Sequence, residues 1–216
     1  MKIEELEEII KDRRSVRRWK KQEVPEDLLL RALEMATWAP NGGNFQGWRF
    51  RTVTNRELII RMADAVQSAA DKLGSWPEAG QWKEDAERYL KNASFFRNAP
   101  ACIGVFIGQY ESVADKILAS RESFDPEARR IRDFRKSAPT GIMSAAAAIT
   151  TLLLVFHAMG LGAVWLGAPL MAKREIEELL SISEGFDLVS LVAVGYPDES
   201  PTKDRRPVSE VAEFTR

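Results

Sequence analysis

Residues 141–167 constrain the fold more than any other part of the chain. The stretch reads GIMSAAAAITTLLLVFHAMG and continues LGAVWLG. Its first part is apolar nearly all round, with alanine at every position from Ala145 to Ala148. Alanine is the strongest helix former and keeps no neighbour at a distance. A helix without a polar face is buried, either in a core or in a bilayer. Gly160 and Gly162 end it, because glycine accepts the backbone angles of a helix exit. Ala163 to Leu166 then reads as a short strand closed by Gly167. A central buried helix feeding directly into a strand is therefore the unit on which the other segments must pack.

A spanning helix needs about 20 apolar residues, and this one approaches that length. It carries Ser144, Thr150, Thr151 and His157, draws much of its apolar count from alanine, and sits in a chain that is 29% charged. The expectation is a core helix and no membrane association. With 31 basic and 32 acidic residues the net charge is −1, which gives no general attraction to nucleic acid. The N-terminus, MKIEELEEIIKDRR, is charged and amphipathic and not a signal peptide, so the expected location is cytoplasmic. The single cysteine, Cys102, excludes an internal disulfide and lies in an apolar run, as an inert buried thiol would.

Ile3, Leu6, Ile9 and Ile10 share one helical face. Pro25 opens a second helix that runs to about Thr37, and residues 39–44 form a turn-rich loop. Residues 48–54 read as a strand, 56–73 and 81–93 as helices, and 101–107 as a buried strand. Residues 109–136 are charged and weakly patterned, with one or two mobile helices expected. Residues 175–180 form a short helix and 188–194 another buried strand, before a polar tail from Asp198. The pattern predicts one α+β domain over 1–216, with the alanine-rich helix against a sheet and an excursion from the core at about 68–136.

Metal and nucleophile chemistries fail on inventory. One histidine, His157, cannot build a zinc site, and no nucleophile-elbow or P-loop sequence is present. Gly160-Leu161-Gly162 precedes a strand where a dinucleotide fingerprint needs a helix. Three other features carry chemistry. Arg13, Arg14, Arg17 and Arg18, with Ser15, cluster where a helix ends, offering guanidinium forks and a hydroxyl suited to phosphate, or else a solvated basic patch. Lys203, Arg205 and Arg206 repeat the ambiguity in the tail, and the two clusters could converge on one dianion. The loop from Pro40 through Asn41, Gly42, Asn44 and Gln46 combines small residues with amide side chains that suit a heteroaromatic edge, or is a plain turn.

These residues meet a family. Arg13-Arg14-Ser15-Val16-Arg17, then Ala39-Pro40 through Asn44-Phe45-Gln46-Gly47-Trp48-Arg49-Phe50, resemble the two N-terminal motifs of the FMN-dependent nitroreductase family. Leu152 to Gly162 with Trp165-Leu166-Gly167 resembles its central helix and following strand, and Gly195-Tyr196-Pro197 with Lys203-Asp204-Arg205-Arg206-Pro207 its C-terminal phosphate motif. The four motifs occur in order over nearly the whole chain.

The resemblance implies a nitroreductase-like fold: a central mixed or antiparallel sheet flanked by helices, a long buried central helix, and an intertwined homodimer with FMN at the subunit interface. By this match Arg13, Ser15, Lys203 and Arg205 would hold the phosphate and ribityl chain, with Arg14 nearby. Arg17 would lie near the N1–C2=O side of the flavin, and the backbone N–H of Leu166 or Gly167 would point at N5. Pro40, Asn41 and Gly42 would come from the partner subunit. The implied activity is ping-pong hydride transfer from NADH or NADPH to a nitroaromatic, quinone or similar small-molecule acceptor, with no side-chain acid or base. Relatives that consume the flavin or act on halogenated aromatics supply a second reading, and a non-catalytic flavin- or phosphoryl-binding dimer a third. Asn41 stands where the family usually has serine, and Gly47 where it usually has proline.

Overall fold

The computed structural model describes residues 2–215. Eight helices and four strands alternate along them: α1 Ile3–Asp12, α2 Glu26–Ala36, β1 Trp48–Val53, α3 Arg56–Gly74, α4 Lys83–Lys91, β2 Ala101–Gly108, α5 Val113–Arg121, α6 Pro126–Lys136, α7 Thr140–Ala158, β3 Gly162–Leu166, α8 Lys173–Leu179 and β4 Phe186–Gly195. Short 3-10 turns join several of them, at Gly42–Asn44, Pro77–Trp82, Phe95–Asn98, Ala168–Ala172 and Val208–Glu210.

The strands form one sheet in the order β1-β2-β4-β3, antiparallel at every step. The one parallel pairing among the described residues is an isolated bridge from Ser15 to Ala163 on the outer edge of β3. Side chains alternate across a strand, and both faces are covered. On one face Cys102 and Phe106 of β2 and Leu191 and Ala193 of β4 pack with Ile59, Met62 and Val66 of α3 and Ile176 of α8. On the other, Ile103, Val105, Val192 and Val194 pack with Leu29 and Ala32 of α2 and Ala145, Ala148, Ile149, Leu152 and Phe156 of α7. Two-sided burial is why β2 and β4 read as continuous apolar runs although the sheet is antiparallel. Cys102 lies fully inside, and burial pushes its thiol up to about 12.

Two expectations acquire finer detail. Within residues 68–136, Ala70, Ala93 and Phe96 are buried in the core, Leu90 packs against it and β2 runs through the sheet centre, whereas 73–89 and 109–136 contribute to neither core cluster. The second of these folds as α5 and α6, each with an N-terminal side-chain cap, Ser112 and Asp125. The central helix is less enclosed than its composition predicts. Its sheet-facing stripe is buried, but Ile142 and Met143 are 44% and 60% exposed and Leu154 is half-buried outside both cores. By length and composition the α6–α7 run passes for one membrane span. The packing of its alanine stripe on the sheet is that of a core helix, with a second apolar face that one chain leaves uncovered.

Candidate active site

The arginine segment leaves α1 extended, with isolated bridges at Ser15 and Trp19, and buries Val16 and Trp19. Val16 points into the core, where its carbons lie 2.7–2.8 Å from a Cβ built on Gly162, so only glycine fits there. Its N–H donates to Ala163 O at 3.2 Å, stitching the segment to the edge of β3. Arg14 is half-buried, whereas the Arg18 side chain is exposed. Arg14 donates through Nη1 to the carbonyls of Lys11 and Arg13, closing the end of α1, while its Nε is buried without a partner. Arg13 and Ser15 are half-buried and Arg17 is exposed.

The tail arrives at the same place. Trp19 bridges Pro197, Lys20 N–H donates to Tyr196 O, and Asp198 N–H donates to Arg18 O. Glu199 then accepts from the N–H groups of Arg17 at 2.5 Å and Arg18 at 3.2 Å and from Arg18 Nε at 3.1 Å. Burial raises the Glu199 carboxyl, but these donors together hold it below the usual glutamate range. Sequence reasoning missed Glu199, which belongs to no motif; the only signal was its position between the two basic clusters. Partial burial, then the charges of Arg205 and Arg14, push the Arg13 guanidinium below its ordinary value. The positive charges of Arg205 and Arg14 thus act on Arg13, and an anion held among them would relieve that repulsion. Lys203 and Arg205 lie on an exposed stretch of the tail.

The end of β3 adds a donor. Ala163 O faces outward to Val16, so by alternation the backbone groups of Leu166 face β4 and the N–H of Gly167 faces out. Among the described residues the Gly167 N–H makes no hydrogen bond, and a Cβ placed there would meet nothing within 4 Å. Of the two candidate N–H donors, Gly167 is the one left free.

The loop at Pro40–Gln46 lies elsewhere. Gly42 N–H donates to Ser144 Oγ at 3.2 Å, and a Cβ on Gly42 would strike Thr140. Gly43 turns with φ +60° against the hydroxyl of Tyr110. Asn41 Oδ1 accepts from Gln46 N–H at 2.9 Å, and Gln46 Nε2 donates to Asn44 Oδ1 at 3.1 Å, so the three amides order the loop itself. Pro40 is exposed. The loop therefore sits at the N-terminal end of α7, whereas Val16 and Arg14 sit with His157 and Gly160 at its C-terminal end. At 1.5 Å per residue, Ser144 and His157 are about 20 Å apart along the helix. Within one chain, the basic half of the predicted site and its glycine-loop half do not meet.

The sequence matches the profile of the Nitroreductase family over residues 10–196. The chain belongs to the nitroreductase family. It is 30% identical over 208 residues to the iodotyrosine deiodinase of Thermotoga neapolitana, covering 95% of both chains. Its fold matches a BluB-like flavoprotein from Clostridium difficile 630 with a TM-score of 0.83, 26% identity, and coverage of 98% and 99% of the two chains. It also matches a nitroreductase with bound FMN from Desulfitobacterium hafniense DCB-2 with a TM-score of 0.73 and 19% identity over the whole of both. The expected nitroreductase-like α+β fold is therefore present, and the Desulfitobacterium protein of this fold holds FMN.

Proposed function

We propose that this nitroreductase-family protein is an FMN-dependent oxidoreductase in which NADH or NADPH delivers a hydride and a nitroaromatic, quinone or similar acceptor removes it. The observation that carries the reading is the docking of the tail, through Glu199, on the arginine segment beside the edge strand that ends in the unpartnered Gly167 N–H. When bound, FMN would supply the ring that takes and passes on the hydride. Arg13, Ser15, Lys203 and Arg205 hold its phosphate and ribityl chain, and Glu199 keeps the two basic segments together. Arg17 places positive charge beside the N1–C2=O side, where it favours the reduced anion. Gly167 N–H donates toward N5.

The assembly is a homodimer with two such sites. The loop of Pro40, Asn41 and Gly42, with Asn44 and Gln46 ordering it, lies about 20 Å along α7 from its own basic cluster, which supports its use by the partner's site. The open apolar face of α7, the exposed Trp38 (81%), and the tail residues Val208, Val211 and Phe214 supply surface for such an interface.

The test is the visible spectrum of purified protein before and after anaerobic NADH or NADPH. Flavin bands that bleach, with FMN released on denaturation, meet the proposal. Absence of flavin after added FMN refutes it and favours a plain phosphoryl-ligand binder. The deiodinase relative supports one further reading, reduction of a halogenated aromatic by the same site. Fast reoxidation of the reduced protein by a halogenated aromatic and slow reoxidation by simple nitroaromatics would select it.

A further inference from the structure

Ser190 is fully buried on β4, in the middle of an apolar sheet. It sits at a bulge, where Val105 pairs with Ser190 but Phe106 already pairs with Leu188. Bulges re-aim a side chain locally. Here the hydroxyl reaches across to Leu166 O at 2.7 Å, with a weaker 3.1 Å approach to Leu191 O. The first acceptor matters because the C=O of Leu166 and the N–H of Gly167 belong to one planar peptide unit. In a trans peptide they point in opposite directions, and no cis peptide occurs among the described residues. A hydroxyl that pins the carbonyl toward β4 therefore pins the N–H toward the free edge. The register with Leu191 turns that carbonyl toward β4 and Gly167 O accepts from Leu170 N–H at 3.0 Å, while Gly167 itself has no side chain to hold the peptide plane, so the hydroxyl is the one side-chain restraint on it.

We infer that Ser190 is a positioning residue for hydride transfer: its buried hydroxyl holds the Leu166–Gly167 peptide so that the Gly167 N–H is presented to the flavin N5. The inference rests on the FMN reading above. A buried polar group without a partner is costly, and the partner that satisfies this one is the Leu166 carbonyl. Accepting a hydrogen bond at the carbonyl also polarises the amide and strengthens its N–H as a donor.

The experiment uses full-length protein reconstituted with FMN labelled with 15N at N5, and reads the N5 chemical shift of the oxidised cofactor together with the rate of anaerobic reduction by NADPH or NADH. Ser190→Ala removes the hydroxyl, and Ser190→Cys keeps the volume with a weaker donor. The expected result for Ser190→Ala is an N5 resonance moved toward that of flavin lacking a donor at N5, and reduction slowed roughly tenfold. Its FMN affinity stays within about threefold of wild type, a difference under ~1 kcal/mol. Ser190→Cys should lie between, and it carries the test alone if the alanine variant does not fold. Wild type with bound FMN and variants with unchanged N5 shift and rate would overturn the inference alone. Wild type that takes up no FMN would overturn the functional reading beneath it.

Discussion

Gly162→Ala should damage the proposed FMN site by moving the arginine segment that carries it, without replacing any residue proposed to contact FMN. A methyl at residue 162 lies 2.7 Å from Val16 Cγ2 and 2.8 Å from its Cβ and Cγ1. Ordinary carbon contacts are about 3.5 Å, so a separation of roughly 0.8 Å must be found. Val16 cannot swing aside, because three of its carbons are struck at once and β-branched side chains are stiff at χ1. The displacement therefore passes to the backbone of residues 15–17, which is held on its other side by Glu199. Overpacking of this kind costs about 1–3 kcal/mol, and the shifted Ser15 and Arg17 should weaken FMN binding about tenfold. Val16→Ala alone removes two nearly buried methyls, at about 0.8 kcal/mol each plus a cavity term. In the double variant the new methyl occupies the space of the lost ones, so the costs should fall short of additivity by about 1–2 kcal/mol. Urea denaturation and fluorescence titration with FMN measure the four species. Additive stabilities, or an FMN affinity in Gly162→Ala equal to wild type, would refute the argument that this contact sets the position of the arginine segment.

Arg13→Ala combined with Arg205→Ala should release FMN while leaving the oligomeric state in sedimentation unchanged, since charge-assisted bonds contribute about 1.5–3 kcal/mol each; retained stoichiometric FMN would refute the phosphate site. The Glu199 carboxyl is depressed in the folded protein, so its contribution is present above the ordinary glutamate value of roughly 4.3 and is lost as pH falls through the lower folded value. Glu199→Gln should mimic the acid form at neutral pH, lowering thermal stability and FMN affinity and flattening that part of the stability–pH curve. Gly167→Ala should melt within about 2 °C of wild type, because nothing lies within 4 Å of the new Cβ, yet bind FMN less tightly, as its methyl would enter the space proposed for the ligand. Leu154→Glu, on the face of α7 outside both cores, should shift the protein to monomer in sedimentation and abolish stoichiometric FMN, whereas a dimer that keeps its flavin would show that this face is not the interface.

Local chemistry decided much of this protein in advance. The alanine run, the glycine exit at Gly160 and the apolar runs 101–107 and 188–194 each express a backbone preference that neighbours a few residues away already determine. The arginine and tail motifs, and the glycine loop, could be named as candidate ligands because their donor chemistry is a property of the side chains themselves. Tertiary structure decided three other things. It brought the tail onto the arginine segment through Glu199, a residue in no motif, because the pairing joins segments about 180 positions apart. It left Gly167, and not Leu166, with the free N–H, because which edge a strand shows depends on its partner and not on its composition. It also set the Pro40–Gln46 loop and the basic cluster at opposite ends of α7, about 20 Å apart by helical rise. Side-chain types and short-range periodicity are written in the chain, but the meeting of distant segments depends on register and packing that no single segment encodes.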